Sequence, residues 1–574
     1  MNTSLRALCL LPCFATAFVH AAPQSAPDTQ APAQQTPAEQ KPAEQKPAEQ
    51  KPAEVKPADT SAPHGQDPQP ATPPAKPQEP VTPATTPPQT PNAAHADDKS
   101  AAAKDATKDD HSVTQHSVTI EGVKIDYTVR AGRLALQTEA GKRKADVFFV
   151  AYTRDGVADV GKRPILFSFN GGPGSSSVWL HLGTIGPRRV HLEPEGWAPP
   201  PPYTLVDNPD SWLDFADIVF IDPVTTGYSR AAEGENDDQF HGVNDDVKWV
   251  AEFIRLYTTR YERWASPKFL AGESYGTTRA AGLAGELQEH HGMYLNGIVL
   301  VSSILNFQTA EFDPGNDLPF ALFLPTYTAT AWYHKKLAPE LQGDLRATLE
   351  EVERFALGEY LVALARGDAV VGEERERLVA KLGRYTGLSL DYIDRANMRI
   401  EIGRFTKELL RDERRTAGRL DSRFRGIDVD SVGEHYEYDP SYAAIQGPFT
   451  ATVNNYLRGE LGYTNDLPYE ILTGRVHPWK MDAENRYVNV GETLRQAMTQ
   501  NPHLKVFVAC GYYDLATPYF AADYTFHHLG LDPTLRTNVV ITRYEGGHMM
   551  YISDPARAQL RKDVAAFVKS ALPQ

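Results

Sequence analysis

From Val113 onward the hydrophobic positions first alternate and then cluster. Alternation over Val118 to Val129, Arg133 to Gln137 and Ala145 to Tyr152 predicts half-buried strands. The polar Ala140-Gly141-Lys142 turns between two of them, so the folded part opens with antiparallel β-structure. The pattern then changes to short, unbroken apolar runs: Pro164 to Asn170, Asp217 to Asp222, Lys268 to Ala271, Asn296 to Ser302, Lys505 to Cys510 and Asn538 to Tyr544. Buried strands separated by helical or loop stretches imply a mostly parallel central sheet of the α/β class. Between Asn306 and about Asn501 no strand signal is strong. Charged helical stretches there (Glu350 to Arg354, Glu373 to Lys381, Lys407 to Arg415) predict a helical insertion over residues 306–500, placed as a cap over an active site. Its charge runs are expected on solvated helix faces.

Ahead of this region the pattern is of two other kinds. Residues 1–21 read as a secretory signal: Arg6 is the n-region, Leu8 to Val19 the apolar h-region, and Val19-His20-Ala21 fits the small-residue cleavage rule. The apolar stretch is too short to span a bilayer, and no later run is long enough to do so. Residues 22–112, rich in Pro, Ala and Gln with a tandem Lys-Pro-Ala-Glu-Gln unit, read as a disordered linker. An exported protein, periplasmic or secreted, is expected, with no integral membrane segment once the signal is removed. Of the 3 cysteines, Cys9 and Cys13 leave with the signal, so Cys510 remains as a buried thiol without a disulfide. The formal net charge of −16 argues against a nucleic-acid partner.

The chemistry sits at the ends of the apolar runs. Gly272-Glu273-Ser274-Tyr275-Gly276 follows a strand and precedes a helix-like stretch, Thr277 to Glu286. This is the context of a G-x-S-x-G nucleophile elbow. Asp514 and His548 follow, each just after a strand, in the order Ser, Asp, His that belongs to α/β-hydrolases. Ser274 is then the nucleophile, His548 its base, and Asp514 the group that orients the imidazole. Asn170-Gly171-Gly172-Pro173-Gly174, after an earlier strand, can aim backbone N–H groups at an oxyanion. The donors expected are Gly172 and the residue after the nucleophile, Tyr275. The loop lacks the lysine of a phosphate-binding loop, and no cofactor or metal site stands out, since His290-His291 and His527-His528 are adjacent pairs.

These residues resemble the serine carboxypeptidases. The resemblance rests on Asn170 to Ser176, the elbow, Asn208-Pro209-Asp210-Ser211-Trp212, Phe220-Ile221-Asp222-Pro223-Val224, Gly227-Tyr228-Ser229 and Gly547-His548-Met549. It covers nearly all of residues 113–570, weakly in the cap. It implies an exported, bacterial member with an α/β-hydrolase fold and a helical cap insertion. It also implies release of C-terminal amino acids from a peptide substrate through an acyl-enzyme. Asn170, Gly171 and Glu273 match positions that bind the substrate's free carboxylate, which requires Glu273 to be protonated and fits a preference for acidic pH.

The chain departs from the family at Thr184, where a second Glu is usual, leaving that network incomplete. An esterase or acyltransferase on the same scaffold is the alternative this departure raises. An inactive envelope-binding homologue is a further one. Arg188, Arg189 and Arg279 are further candidates for a carboxylate contact. The sequence leaves oligomeric state open.

Overall fold

The computed structural model describes residues 110–573. The signal sequence and nearly all of the linker lie outside the described residues. The linker boundary expected at residue 112 falls inside the first strand, which begins at Asp110.

Three antiparallel strands open the fold: β1 (Asp110–Ile120), β2 (Val123–Gln137) and β3 (Arg143–Arg154). The alternating stretch Val118 to Val129 is therefore two strands. Glu121 and Gly122 both take positive φ (48° and 79°), and this two-residue turn reverses the chain so that Ile120 pairs with Val123. Six short strands follow: β4 (Ile165–Phe169), β5 (Asp217–Ile221), β6 (Lys268–Glu273), β7 (Gly297–Val301), β8 (Lys505–Gly511) and β9 (Val539–Tyr544). The sheet order is β1-β2-β3-β5-β4-β6-β7-β8-β9, and a two-residue strand, Arg230–Ala231, pairs beside β3. The β3–β5 junction is antiparallel, and every pair from β5 to β9 is parallel.

Side chains alternate across this sheet, so its central parallel strands feed two cores. Phe167, Phe169, Val219, Leu270, Ile298 and Val508 lie in one apolar cluster with helices α1 (Val243–Arg260) and α2 (Tyr275–His291). Leu166, Ile218, Phe269, Val299 and Phe507 lie in the other, with the C-terminal helix Asp554–Ala571. Burial on both faces is why these strands read as continuous apolar runs.

The segment between β7 and β8 is mainly helical and includes α3 (Leu318–Tyr333), α4 (Leu345–Phe355), α5 (Gly372–Thr386) and α6 (Pro440–Asn455). It is anchored in both cores: Phe323 and Leu349 join the first, Phe449 and Val453 the second. Two expectations fail here. The helix read over Lys407 to Arg415 ends at Glu408, because Arg414 turns left-handed (φ 52°) and Arg415 starts a short hairpin, Arg415–Ala417 with Arg425–Ile427. Lys407 is not on a solvated face. Its side chain is fully buried, and Nζ lies 2.6 Å from Asp428 and 3.2 Å from Glu437.

The two ends of the parallel strands differ. At the N-terminal end Asp217 receives Arg163 Nε (2.6 Å), Arg263 Nη1 (2.7 Å) and the Arg154 N–H (3.0 Å), all largely buried. This cluster ties the starts of β4, β5 and β6 to the end of β3. At the C-terminal end the loops carrying Asn170, Ser274, Asp514 and His548 converge, where open α/β sheets bind ligands. With its mixed leading edge and parallel body, the architecture is the α/β-hydrolase fold.

Candidate active site

Ser274 stands between β6 and α2 with φ 59° and ψ −130°, a conformation that non-glycine residues rarely adopt. Its amide donates to Val301 O on β7 (3.0 Å), which fixes the bend. The elbow glycines are demanded by contact. A Cβ on Gly272 would lie 2.2 Å from Gly276 O, and one on Gly276 would lie 2.9 Å from Phe169 O. The serine is half-buried, and among the described residues its hydroxyl has no hydrogen-bond partner. Contacts of a nucleophile often tighten only when substrate arrives.

Asp514 and His548 are joined. His548 Nδ1 lies 2.8 Å from Asp514 Oδ2, and Thr517 Oγ1 donates to the same oxygen (2.8 Å). Asp514 Oδ1 takes the amides of Ala516 (2.8 Å) and Thr517 (3.0 Å), so both carboxylate oxygens are held. Burial would lower the imidazole's pKa, but the Asp514 charge and hydrogen bond more than offset it, leaving His548 raised above its usual value. Arg419 is the cation that opposes this rise.

The His548 loop is also clamped from the insertion and from the end of β7. The His548 amide donates to Leu420 O (2.6 Å), the Gly547 amide to Asp421 Oδ2 (3.0 Å), and Ser302 Oγ to His548 O (2.6 Å). Leu515 N donates to Arg419 O (3.1 Å), so the three-residue run Arg419-Leu420-Asp421 touches both the acid loop and the imidazole loop. Nothing in the sequence pattern pointed to this run.

The glycine loop lies directly on the elbow. A Cβ on Gly171 would come 2.4 Å from Tyr275 N and 2.7 Å from Glu273 O. Tyr275 is the first helical residue, so its N–H has no intrahelical acceptor. Among the described residues, no acceptor takes the N–H of Gly172 or of Tyr275. Both N–H groups are therefore available to a ligand.

Asn170 and Glu273 meet as well. Asn170 Nδ2 donates to Glu273 Oε1 (2.9 Å), while Asn170 Oδ1 accepts from Leu180 N (3.0 Å). The Tyr551 hydroxyl donates to Glu273 Oε2. Burial pushes the Glu273 carboxyl up to about 7, against the opposing pull of His548 and the Tyr551 hydrogen bond. Arg279, buried in α2, donates to Asn170 O (2.5 Å) and pairs with Asp246 (2.7 Å), so it braces the loop from below. Arg188 is engaged by Asp207 (2.6 Å) and Glu460 (3.1 Å), and Arg189 stands 3.9 Å from Asp554. Cys510 is buried in β8, and burial holds its thiol well above the usual range.

The sequence missed Tyr551, Thr517 and the Arg419-Leu420-Asp421 run. The first two lie only three residues from His548 and Asp514, but proximity in sequence is not a motif.

Residues 126–340 match the family model described as serine carboxypeptidase. A stretch of 146 residues, 25% of this chain, is 34% identical to the pheromone-processing carboxypeptidase KEX1 of Cryptococcus gattii and covers 20% of that protein. Carboxypeptidase Y of Schizosaccharomyces pombe is 32% identical over 130 residues, 22% of this chain and 12% of that protein. The serine carboxypeptidase-like 45 protein of Arabidopsis thaliana is 25% identical over 215 residues, 34% of this chain and 43% of that one. The matched segments thus span less than half the length of these fungal and plant relatives. Among solved structures, a prohormone-processing carboxypeptidase of Saccharomyces cerevisiae aligns with 77% of this chain and 91% of its own at 16% identity and a TM-score of 0.49. Over residues 126–340 the chain is thus similar to the serine carboxypeptidases.

Proposed function

We propose that the protein is a serine carboxypeptidase that releases C-terminal amino acids from peptides. The observation that carries this reading is the meeting of three things at one strand edge: a strained serine, a His548–Asp514 pair and a buried Glu273–Asn170 pair. In this reading Ser274 Oγ attacks the scissile carbonyl carbon while His548 Nε2 takes its proton. The oxyanion is received by the Gly172 and Tyr275 N–H groups. The intermediate collapses to an acyl-enzyme as His548 returns the proton to the leaving amine. Water, deprotonated by the same imidazole, then releases the shortened peptide.

Asn170, Gly171 and Glu273 are the proposed seat of the substrate's free carboxylate. An ionised Glu273 would repel that group, whereas a protonated one donates to it. The elevated carboxyl pKa supports protonation on the acid side of about 7. Residues 306–500 would shape the pockets for the flanking side chains. Residues 1–21 are proposed to direct export to a periplasm or the exterior, with the segment up to about residue 109 as a spacer; N-terminal sequencing of the exported protein should begin at Ala22.

The decisive test is mass spectrometry of N-blocked peptides treated with the protein and with Ser274→Ala from about pH 4 to 8. Stepwise loss of single C-terminal residues, absent in the variant, is expected. Intact peptides beside rapid ester hydrolysis would move the assignment to an esterase or acyltransferase. No labelling of Ser274 by a fluorophosphonate would indicate an inactive homologue.

A further inference from the structure

The missing glutamate at Thr184 leaves a specific vacancy in the chemistry. Thr184 is fully buried, and among the described residues its hydroxyl finds no hydrogen-bond partner. A buried acid such as Glu273 needs both oxygens satisfied, and Asn170 serves only Oε1. The other oxygen is taken by the hydroxyl of Tyr551, a side chain with no exposed surface. The Tyr551 ring lies against the residue before Thr184: a Cβ on Gly183 would come 2.5 Å from the ring edge. Gly183 is thus the size that admits the ring, and the ring delivers an oxygen beside the carboxyl without help from position 184.

We propose that Tyr551 is the positioning residue that replaces the absent second glutamate, fixing Glu273 in the orientation that receives the substrate's C-terminal carboxylate. The proposal rests on the carboxypeptidase reading. It differs from a Glu–Glu pair in one chemical respect. Two carboxyls can share a single proton, whereas a tyrosine hydroxyl stays protonated and keeps donating at every pH at which the fold is used. Burial and the Glu273 charge hold Tyr551 well above its ordinary value. The charged and titratable groups that face Glu273 are His548, Asp514 and Tyr551. Of these Tyr551 alone donates to Oε2. It favours the ionised carboxylate, so its loss should raise the pH at which Glu273 gives up its proton.

The test is Tyr551→Phe, with KM and kcat for a free-acid peptide and for the matching C-terminal ester across pH. Loss of one hydrogen bond to the acid should raise KM for the free acid about tenfold at acidic pH, with kcat and ester hydrolysis little changed. The upturn of KM with rising pH should move to higher pH. In a Glu273→Ala background, which removes the acceptor, the same change should add nothing to KM, which a merely structural role would not predict. An unaltered KM and pH profile in Tyr551→Phe would overturn the proposal. Should Tyr551→Phe fail to label with a fluorophosphonate, 3-fluorotyrosine at position 551 keeps the packing and strengthens the donor. The upturn must then move to lower pH, and no movement overturns the proposal. The wild-type protein separates the two readings. If it hydrolyses the ester but leaves the free acid intact, the carboxypeptidase assignment fails and takes the proposal with it. If it trims the free acid while Tyr551→Phe behaves as wild type, only the Tyr551 proposal falls.

Discussion

Ser274 carries positive φ without being glycine, and such a position costs on the order of 1–3 kcal/mol. The surrounding contacts hold it there, so the strain belongs to the proposed nucleophile. Replacing it with glycine should raise stability by about 1 kcal/mol while abolishing fluorophosphonate labelling, readable as a higher denaturant midpoint in an inactive protein. Asp514→Asn keeps the shape of the acid loop but favours the wrong imidazole tautomer, and kcat should fall by about 10⁴. In the proposed carboxypeptidase, Glu273 gives the pH dependence its sign. Its carboxyl is neutral below about 7 and ionised above, so KM for free-acid peptides should climb as pH rises through that value. Hydrolysis of a C-terminal ester, which presents no carboxylate, should persist to higher pH; parallel profiles for the two substrates would contradict the assignment of Glu273.

At the scale of elements, the strand–elbow–helix unit and the glycine loop form one packed object, because the Gly171 position leaves no room for a Cβ above Tyr275 N. Gly171→Ala should displace the loop and remove one proposed oxyanion donor, lowering kcat by about 10² with less effect on KM. Much of this unit was legible beforehand. Buried strands announce themselves as apolar runs, and the elbow has a fixed spacing with a steric reason behind it. Helix α2 began at Tyr275, two residues before the helical stretch read from sequence, since the elbow serine itself supplies its N-terminal boundary. The insertion was legible only as helix. Its charges misled at Lys407, because a buried lysine with two acids looks no different in sequence from a solvated one. Tyr551 was invisible for a related reason: its role depends on a hydrogen bond to a residue 278 positions away.

Over the whole molecule the two ends of the sheet divide the labour. Asp217 neutralises two buried arginines at the end remote from Ser274, and Asp217→Ala would leave both without that partner. A loss of about 3 kcal/mol or more is expected in denaturant unfolding, with turnover per labelled serine unchanged in the fraction that stays folded. Such a separation fits a fold whose chemistry sits at one edge and whose bracing sits at the other. The insertion crosses that division, since Leu420 O receives the amide of His548. An amide exchanges with solvent deuterium only when its acceptor lets go. The exchange rate of this single proton is therefore a clock for how often the insertion lifts from the His548 loop. A ligand that seats the insertion more firmly would slow the clock without touching the imidazole.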